Sequence, residues 1–241
     1  MKPVRDIDWS KKKAVIFDLD GTLVDSAGVW DEIDQMTIKH FSGQTIDLKT
    51  INKDREHFLT NNPSGHIYLN YSKWLCEKYD IKDTAEDVLR MRWDTGCLWY
   101  KTCDYKDHAD KVINKFLEMD LVLAIATSGV REQVDKAQFT NDLLKSKADF
   151  SHVFKEIVTQ EDINKKKPDP EIYLETMRRL NVNANQCIVF EDHLNGVKSA
   201  KSAGIEVVNI YCPHSDYDRE ELDKISDYLM KDWKELYDTL T

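Results

Sequence analysis

Four short apolar runs recur along the chain, at Ala14–Phe17, Leu121–Ala126, Cys187–Phe190 and Ile205–Ile210. Each is apolar at nearly every position, so each reads as a strand buried on both faces. Between and after them, apolar positions return at three- and four-residue spacing, which predicts helices over roughly 107–119, 129–145, 170–181, 193–203 and 219–238. Strands alternating with helices imply a Rossmann-like α/β core, a parallel sheet with helices on both faces. Two boundaries carry their own punctuation. Asp169-Pro170 reads as an N-cap followed by proline at the first helical position, and Gly204 closes the Val197, Ala200, Ala203 stripe.

The stretch from about 25 to 105 breaks this alternation. It holds no strand pattern, only helical periodicities near 29–40, 47–59, 66–79 and 84–95. Four of the six tryptophans lie there (Trp30, Trp74, Trp93, Trp99), enough with the other rings for a small core of its own. The pattern predicts an α-helical domain, 25–105, inserted into a core domain made of 1–24 and 106–241. Its aromatics read first as helix packing and second as lining for a substrate pocket, since clefts favour such rings.

Composition narrows the class. With 241 residues, 41% hydrophobic and 32% charged, the chain is an ordinary globular protein rather than a collagen-like, low-complexity or disordered one. The longest apolar run spans Leu121–Ala126, far short of the roughly 20 residues a membrane span needs. The start, MKPVRDIDWSKKK, has no apolar signal-peptide segment, so neither a membrane nor a secreted protein is expected. Five scattered cysteines without a C-x-x-C pair read as reduced thiols in the cytoplasm. A formal charge of −10 repels nucleic acid and anionic lipid. A small phosphorylated metabolite is still admitted, because a metal ion and local donors reverse the sign inside one cleft. The oligomeric state is not legible.

The first apolar run ends in Asp18-Leu-Asp20-Gly21-Thr22, two carboxylates on one side of an extended chain. Beyond the carboxyl end of a parallel strand they stand where open α/β sheets bind ligands, although a solvated Asp-x-Asp turn has the same composition. The second run leads into Thr127-Ser128-Gly129, a hydroxyl and backbone N–H groups at a helix start, suited to phosphate. Lys165-Lys-Lys167-Pro168 places a cation before another helix, and Cys187–Phe190 runs into Glu191-Asp192. Singly these read as caps, a solvated basic run and an acidic turn. Together they compose a site for a divalent cation and a phosphoryl group.

In these motifs, Asp18-x-Asp20-Gly-Thr22, Thr127, Lys167-Pro168 and Glu191-Asp192, the chain resembles the haloacid dehalogenase-like hydrolases. It resembles in particular the branch with an α-helical cap after the first motif, which includes phosphoglycolate phosphatase and β-phosphoglucomutase relatives. The resemblance implies Asp18 as nucleophile, forming an aspartyl-phosphate, and Asp20 as acid and base. It implies Mg²⁺ held by the Asp18 carboxylate, the Asp20 carbonyl and Asp192, with Glu191 direct or through water. Thr127, with Ser128, would bind phosphoryl oxygens, and Lys167 would offset the charge shared by Asp18 and the phosphoryl group. His193 stands where relatives carry a small hydroxyl residue; it reads as tolerated variation, with metal ligation a minor alternative. Tyr105-Lys106-Asp107-His108 replaces a proline-glycine turn of relatives.

The function this resemblance implies is a Mg²⁺-dependent phosphatase of a small phosphate monoester. Asp20 and Asp192 weigh against a dehalogenase proper, and retention of every motif residue weighs against a non-catalytic descendant. A β-phosphoglucomutase-like phosphomutase is the rival; Thr22, where mutases more often carry an aliphatic residue, and the missing glycine-arginine loop lean away from it. The turn Ser42-Gly43-Gln44-Thr45 is expected either to face the site, with Gln44 and Thr45 binding sugar hydroxyls, or to be an ordinary exposed connection.

Overall fold

The structure is a computed structural model that describes residues 1–26, 28–62 and 67–241. His66, the first residue of the helix expected over 66–79, lies outside the described residues. The chain divides into two compact units, one of Ser26–Tyr100 and one of Met1–Asp25 with Lys101–Thr241.

The smaller unit consists of helices α1 (Val29–Ser42), α2 (Leu48–Asn61), α3 (Ile67–Lys78) and α4 (Ala85–Tyr100). Its apolar stripes meet around Ile38, Ile51, Phe58, Tyr71, Leu75 and Val88. Tyr71 and Trp74 stack at 5.7 Å between centroids and Phe58 lies against both, so these rings are helix packing. A polar knot crosses the same interior. Fully buried Asp34 accepts from Arg92 Nε at 2.6 Å and from the Tyr71 hydroxyl at 2.9 Å, while Arg55 pairs with Asp31 at 2.8 Å. Gly43, at φ +72°, ends α1 in the left-handed turn that favours glycine. Just after it, Gln44 Nε2 donates to the Tyr79 carbonyl at 2.7 Å. Both Gln44 and Thr45 are exposed.

The larger unit is a seven-stranded sheet of β1 (Lys2–Pro3), β2 (Ala14–Phe17), β3 (Val122–Ala126), β4 (Phe154–Val158), β5 (Cys187–Glu191), β6 (Glu206–Ile210) and β7 (Tyr228–Met230). The order is β1-β7-β6-β5-β2-β3-β4 and every pairing is parallel. From β2 the chain steps outward to β3 and β4, then returns to β5 on the other flank of β2. Strand order therefore reverses at β2, the position where open sheets form a ligand crevice beyond their carboxyl ends. In register, Phe17 lies beside Ile125 and Phe190. The Phe17 and Phe190 rings stack at 5.6 Å, anchoring the ends of the two central strands.

Eight helices follow in this unit among the described residues: α5 (Ala109–Glu118), α6 (Arg131–Thr140), α7 (Asp142–Ala148), α8 (Phe150–Val153), α9 (Glu171–Leu180), α10 (Leu194–Ser202), α11 (Arg219–Ile225) and α12 (Trp233–Leu240). Three sequence readings are corrected among them. The helix expected over 129–145 breaks at Asn141, whose side chain accepts from Leu144 N at 3.0 Å and donates to the Cys103 carbonyl at 2.8 Å. The helix expected over 219–238 is α11, β7 and α12, because Asp232 starts a new helix by accepting from Glu235 N at 2.9 Å. Pro170, not Asp169, is the N-cap of α9, although Asp169 still accepts from Glu171 N at 3.1 Å. Gly204 does close α10, at φ +77°.

Candidate active site

Four loops at the carboxyl ends of the central strands carry the chemistry. Asp18 follows β2, its N–H donating to the Phe190 carbonyl at 3.0 Å; Thr127 follows β3, its N–H donating to the Val158 carbonyl at 3.0 Å. Glu191 ends β5 and Asp192 comes next. Lys167 lies in the segment between β4 and α9.

Lys167 draws three of these loops together. Its ammonium donates to Asp18 Oδ1 at 2.7 Å, to Glu191 Oε1 at 2.6 Å and to the Ala126 carbonyl at 3.0 Å. Its side chain is 6% exposed, so the pairings are shielded from bulk water. Burial disfavours the ammonium, yet the charges of Asp18 and Glu191 raise its pKa well above the ordinary value. Burial likewise pushes the Asp18 carboxyl well above the usual range, and Lys167 only partly offsets this.

Asp192 follows Glu191 in the same turn. Thr22 Oγ1 donates to its Oδ1 at 3.2 Å. Burial, then the neighbouring Glu191 charge, pushes Asp192 up to about 6. Space around it is tight: a Cβ at Gly21, which has φ +75°, would lie 2.2 Å from Asp192 Oδ2. Only glycine fits there on both counts. Thr127 Oγ1 accepts from Gly129 N at 2.9 Å, and a Cβ at Gly129 would lie 3.6 Å from Asp20 Oδ2. The same Cβ would lie 3.2 Å from Thr127 Oγ1, so Asp20 and Thr127 approach one side of Gly129, while Ser128 is exposed.

Asp18, Glu191 and Asp192 each offer an oxygen within 4.8 Å of the others. All are hard donors, and the only ammonium bonded to them is Lys167 among the described residues, so the set fits a hard divalent cation of the Mg²⁺ type. Glu191 is the most heavily used of the three. It accepts from Lys167 Nζ, from the Tyr173 hydroxyl at 2.9 Å, and from the N–H groups of Asp192 and His193 at 3.1 and 3.3 Å. A carboxylate has about four lone-pair directions and these donors use them, so of the three carboxylates Asp18 and Asp192 remain for a cation. His193 is the N-cap of α10. Its Nδ1 accepts from Asn195 N at 3.4 Å and its Nε2 lies 3.1 Å from the Tyr217 hydroxyl, so both ring nitrogens are engaged outside the carboxylate set.

Several residues of this site escape sequence reasoning. Tyr173 belongs to the buried stripe of α9 and looks like core; its hydroxyl holds Glu191 and its ring lies 5.2 Å from the Lys167 ammonium. Asn209 donates to the Glu191 carbonyl at 3.2 Å and is itself bonded by Arg219 at 3.0 Å. Lys106, in the segment that replaces the expected proline-glycine turn, donates to the Gly21 carbonyl at 2.7 Å. Buried polar residues at strand ends were the available signal for Asn209; a lone tyrosine in an apolar stripe offered none. Gln44 and Thr45 belong to the helical unit.

The buried carboxylate cluster and its shared lysine stand at the switch point of a parallel α/β sheet, the place where such sheets bind ligands. Residues 15–210 match the haloacid dehalogenase-like hydrolase family, and the chain belongs to it. Among curated relatives, the phosphorylated carbohydrates phosphatase of Thermotoga maritima is 28% identical over 196 residues, covering 80% of this chain and 82% of that protein. The phosphoglycolate phosphatase of Colwellia psychrerythraea is 27% identical over 203 residues, covering 83% and 84%. Among solved structures, CbbY from Rhodobacter sphaeroides in complex with phosphate superposes with a TM-score of 0.71 at 18% identity, covering 93% of this chain and 96% of that one, a likeness of fold. The chain is accordingly a hydrolase of phosphate esters. No helix among the described residues is long and apolar enough to cross a membrane.

Proposed function

We propose that the protein is a Mg²⁺-dependent phosphatase that cleaves a small phosphate monoester through an aspartyl-phosphate on Asp18. The observation that carries this reading is the 2.7 Å pair of Lys167 and Asp18 at the end of the central strand, with Asp192 and Thr127 on the adjoining strand ends. Asp18 attacks phosphorus, its Oδ–P bond forming as the ester bond breaks, and the leaving alkoxide takes a proton from Asp20. Water, deprotonated by Asp20, then displaces Asp18 and releases orthophosphate. Lys167 balances the charge that Asp18 and the phosphoryl oxygens share, and the Thr127 hydroxyl holds one of those oxygens. Asp18, the Asp20 carbonyl and Asp192 would hold Mg²⁺, with Glu191 behind them positioning Lys167. When bound, the cation neutralises charge on the phosphoryl oxygens.

The helical unit, Ser26–Tyr100, serves in this reading as the cap that selects the leaving group, with Gln44 and Thr45 as candidate contacts to substrate hydroxyls. No disulfide joins the five cysteines among the described residues, in keeping with a cytoplasmic setting. The test is a phosphate-release screen over sugar phosphates, polyol phosphates, nucleotides and phosphoglycolate, with Mg²⁺ and after exhaustive chelation. Release that needs Mg²⁺ and disappears in Asp18→Asn is expected. Full activity after chelation would remove the metal. Phosphorus NMR reads the rival directly: a hexose 1-phosphate converted to its isomer without orthophosphate would make the enzyme a phosphomutase.

A further inference from the structure

The family match stops at residue 210, yet one side chain beyond it reaches the centre of the site. Trp233 opens α12 and is 1% exposed. Its indole N–H donates to the Thr22 carbonyl at 2.9 Å across 211 residues of sequence. Its ring packs on Phe17 at 5.9 Å and on Phe190 at 5.0 Å, the residues immediately before Asp18 and Glu191. Thr22 in turn donates from its hydroxyl to Asp192. One side chain therefore touches the root of the Asp18 loop, the root of the Glu191 turn, and the peptide whose side chain holds Asp192.

We propose that Trp233 is a positioning residue for the phosphoryl site: its N–H fixes the Thr22 peptide, and through it the Asp18–Val24 loop and the Asp192 carboxylate. This rests on the reading of Asp18 as the reacting group and of Asp192 as a cation ligand. The physical reason is that a buried carbonyl deprived of its donor must find another or expose itself to water. The Gly21 carbonyl, one residue earlier, is held by Lys106. The two donors together clamp a loop whose glycine is already at positive φ.

The test compares wild type, Trp233→Phe, Thr22→Val, the double variant and Leu236→Ala, which loosens buried α12 without removing the indole donor. Trp233→Phe keeps a ring against Phe17 and Phe190 and deletes the N–H. With p-nitrophenyl phosphate we expect kcat about tenfold lower and KM unchanged, as for other residues that orient site groups. The double variant should lose little beyond the larger single loss, since both act through one peptide. Hydrogen exchange at Leu23 and Val24, whose N–H groups both donate to the Leu19 carbonyl, should quicken about tenfold in Trp233→Phe and not at β3. Unchanged kcat with unchanged exchange overturns the proposal, as does an equal kcat loss in Leu236→Ala at equal loss of Tm. Should Trp233→Phe fail to fold, the wild-type indole N–H, recognised in NMR by its contacts to Phe17 and Phe190, should exchange as slowly as the β2 amides; rapid exchange overturns the proposal. A wild type that releases phosphate from no ester sinks the phosphatase reading while leaving the exchange readings valid.

Discussion

Asp18 is 7% exposed and shares its lysine with Glu191, so the same burial that excludes water from the nucleophile also penalises its ionised form. Asp18→Asn should therefore abolish phosphate release while leaving the circular dichroism unchanged and Tm at or above that of wild type. A variant that keeps more than a few per cent of activity would remove Asp18 from the chemistry. Tyr173 is the complementary case, a fully buried group that supplies one of Glu191's four donors. Tyr173→Phe keeps the ring near Lys167 and should cost about 1.5–3 kcal/mol of stability, the usual worth of a hydrogen bond to a charged group. Urea unfolding measures it, and a loss below about 0.5 kcal/mol would mean that water replaces the hydroxyl. Sequence reading singled out Asp18, Asp20, Thr127, Glu191 and Asp192 because each stands at the end of an apolar run, and Lys167 because its basic run precedes a helix. It missed Tyr173, Asn209 and Trp233 because supporting groups come from inside elements, where a buried polar tip follows the same period as the core.

At the scale of elements, α10 is a place where helix propensity and packing disagree. Alanine in place of Gly196 would gain about 1 kcal/mol in helix propensity, but its Cβ would fall 1.7 Å from Glu191 Oε1. Gly196→Ala should lose most phosphatase activity and gain no stability; a more stable and fully active variant would show that Glu191 moves freely. Helix α9 is clipped to the loop after β4 by Arg179, which pairs with Asp162 at 2.9 Å and Glu175 at 2.7 Å. Asp162, despite partial burial, is held at about 2 by the Thr159 N–H and Arg179, and Glu175 at about 2 by Arg178 and Arg179. Folded values below the unfolded range near 4 mean stability that is present above that range and lost as pH falls toward 2. Arg179→Gln should thus lower Tm at neutral pH, and the gap from wild type should close by pH 2 in an acid titration followed by circular dichroism. The central strands were legible as runs apolar throughout. Strand β4 was not, because Lys155 is exposed at the sheet edge and the run FKEIV resembles a mixed loop. The split of 219–238 was hidden because Leu222 and Leu236 keep a helical spacing across β7, and only the Asp232 cap marks the restart.

Across the whole molecule, the proposed function assigns recognition and chemistry to different stretches of chain. Gln44 spends its amide on the Tyr79 carbonyl, and Thr45 is exposed beside it. Replacing both with alanine should change the ranking of phosphate esters by kcat/KM while sparing p-nitrophenyl phosphate. An unchanged ranking would return this turn to an ordinary connection and direct attention to the aromatics of α1–α4. The site itself joins residues far apart in sequence: Thr22 and Asp192 are 170 residues apart, and β2 lies between β3 and β5. On a ribosome adding roughly 5–20 residues per second, β2 leaves the tunnel on the order of ten seconds or more before β5 exists. For that interval only β3 can flank it, and the edge that β5 will cover stays open. The helical stretch, contiguous in sequence and with a core of its own, is complete long before then. A nascent chain arrested after β4 should accordingly hold a folded helical unit and a β2 that lacks its β5 neighbour, a natural client for a chaperone that binds extended apolar segments.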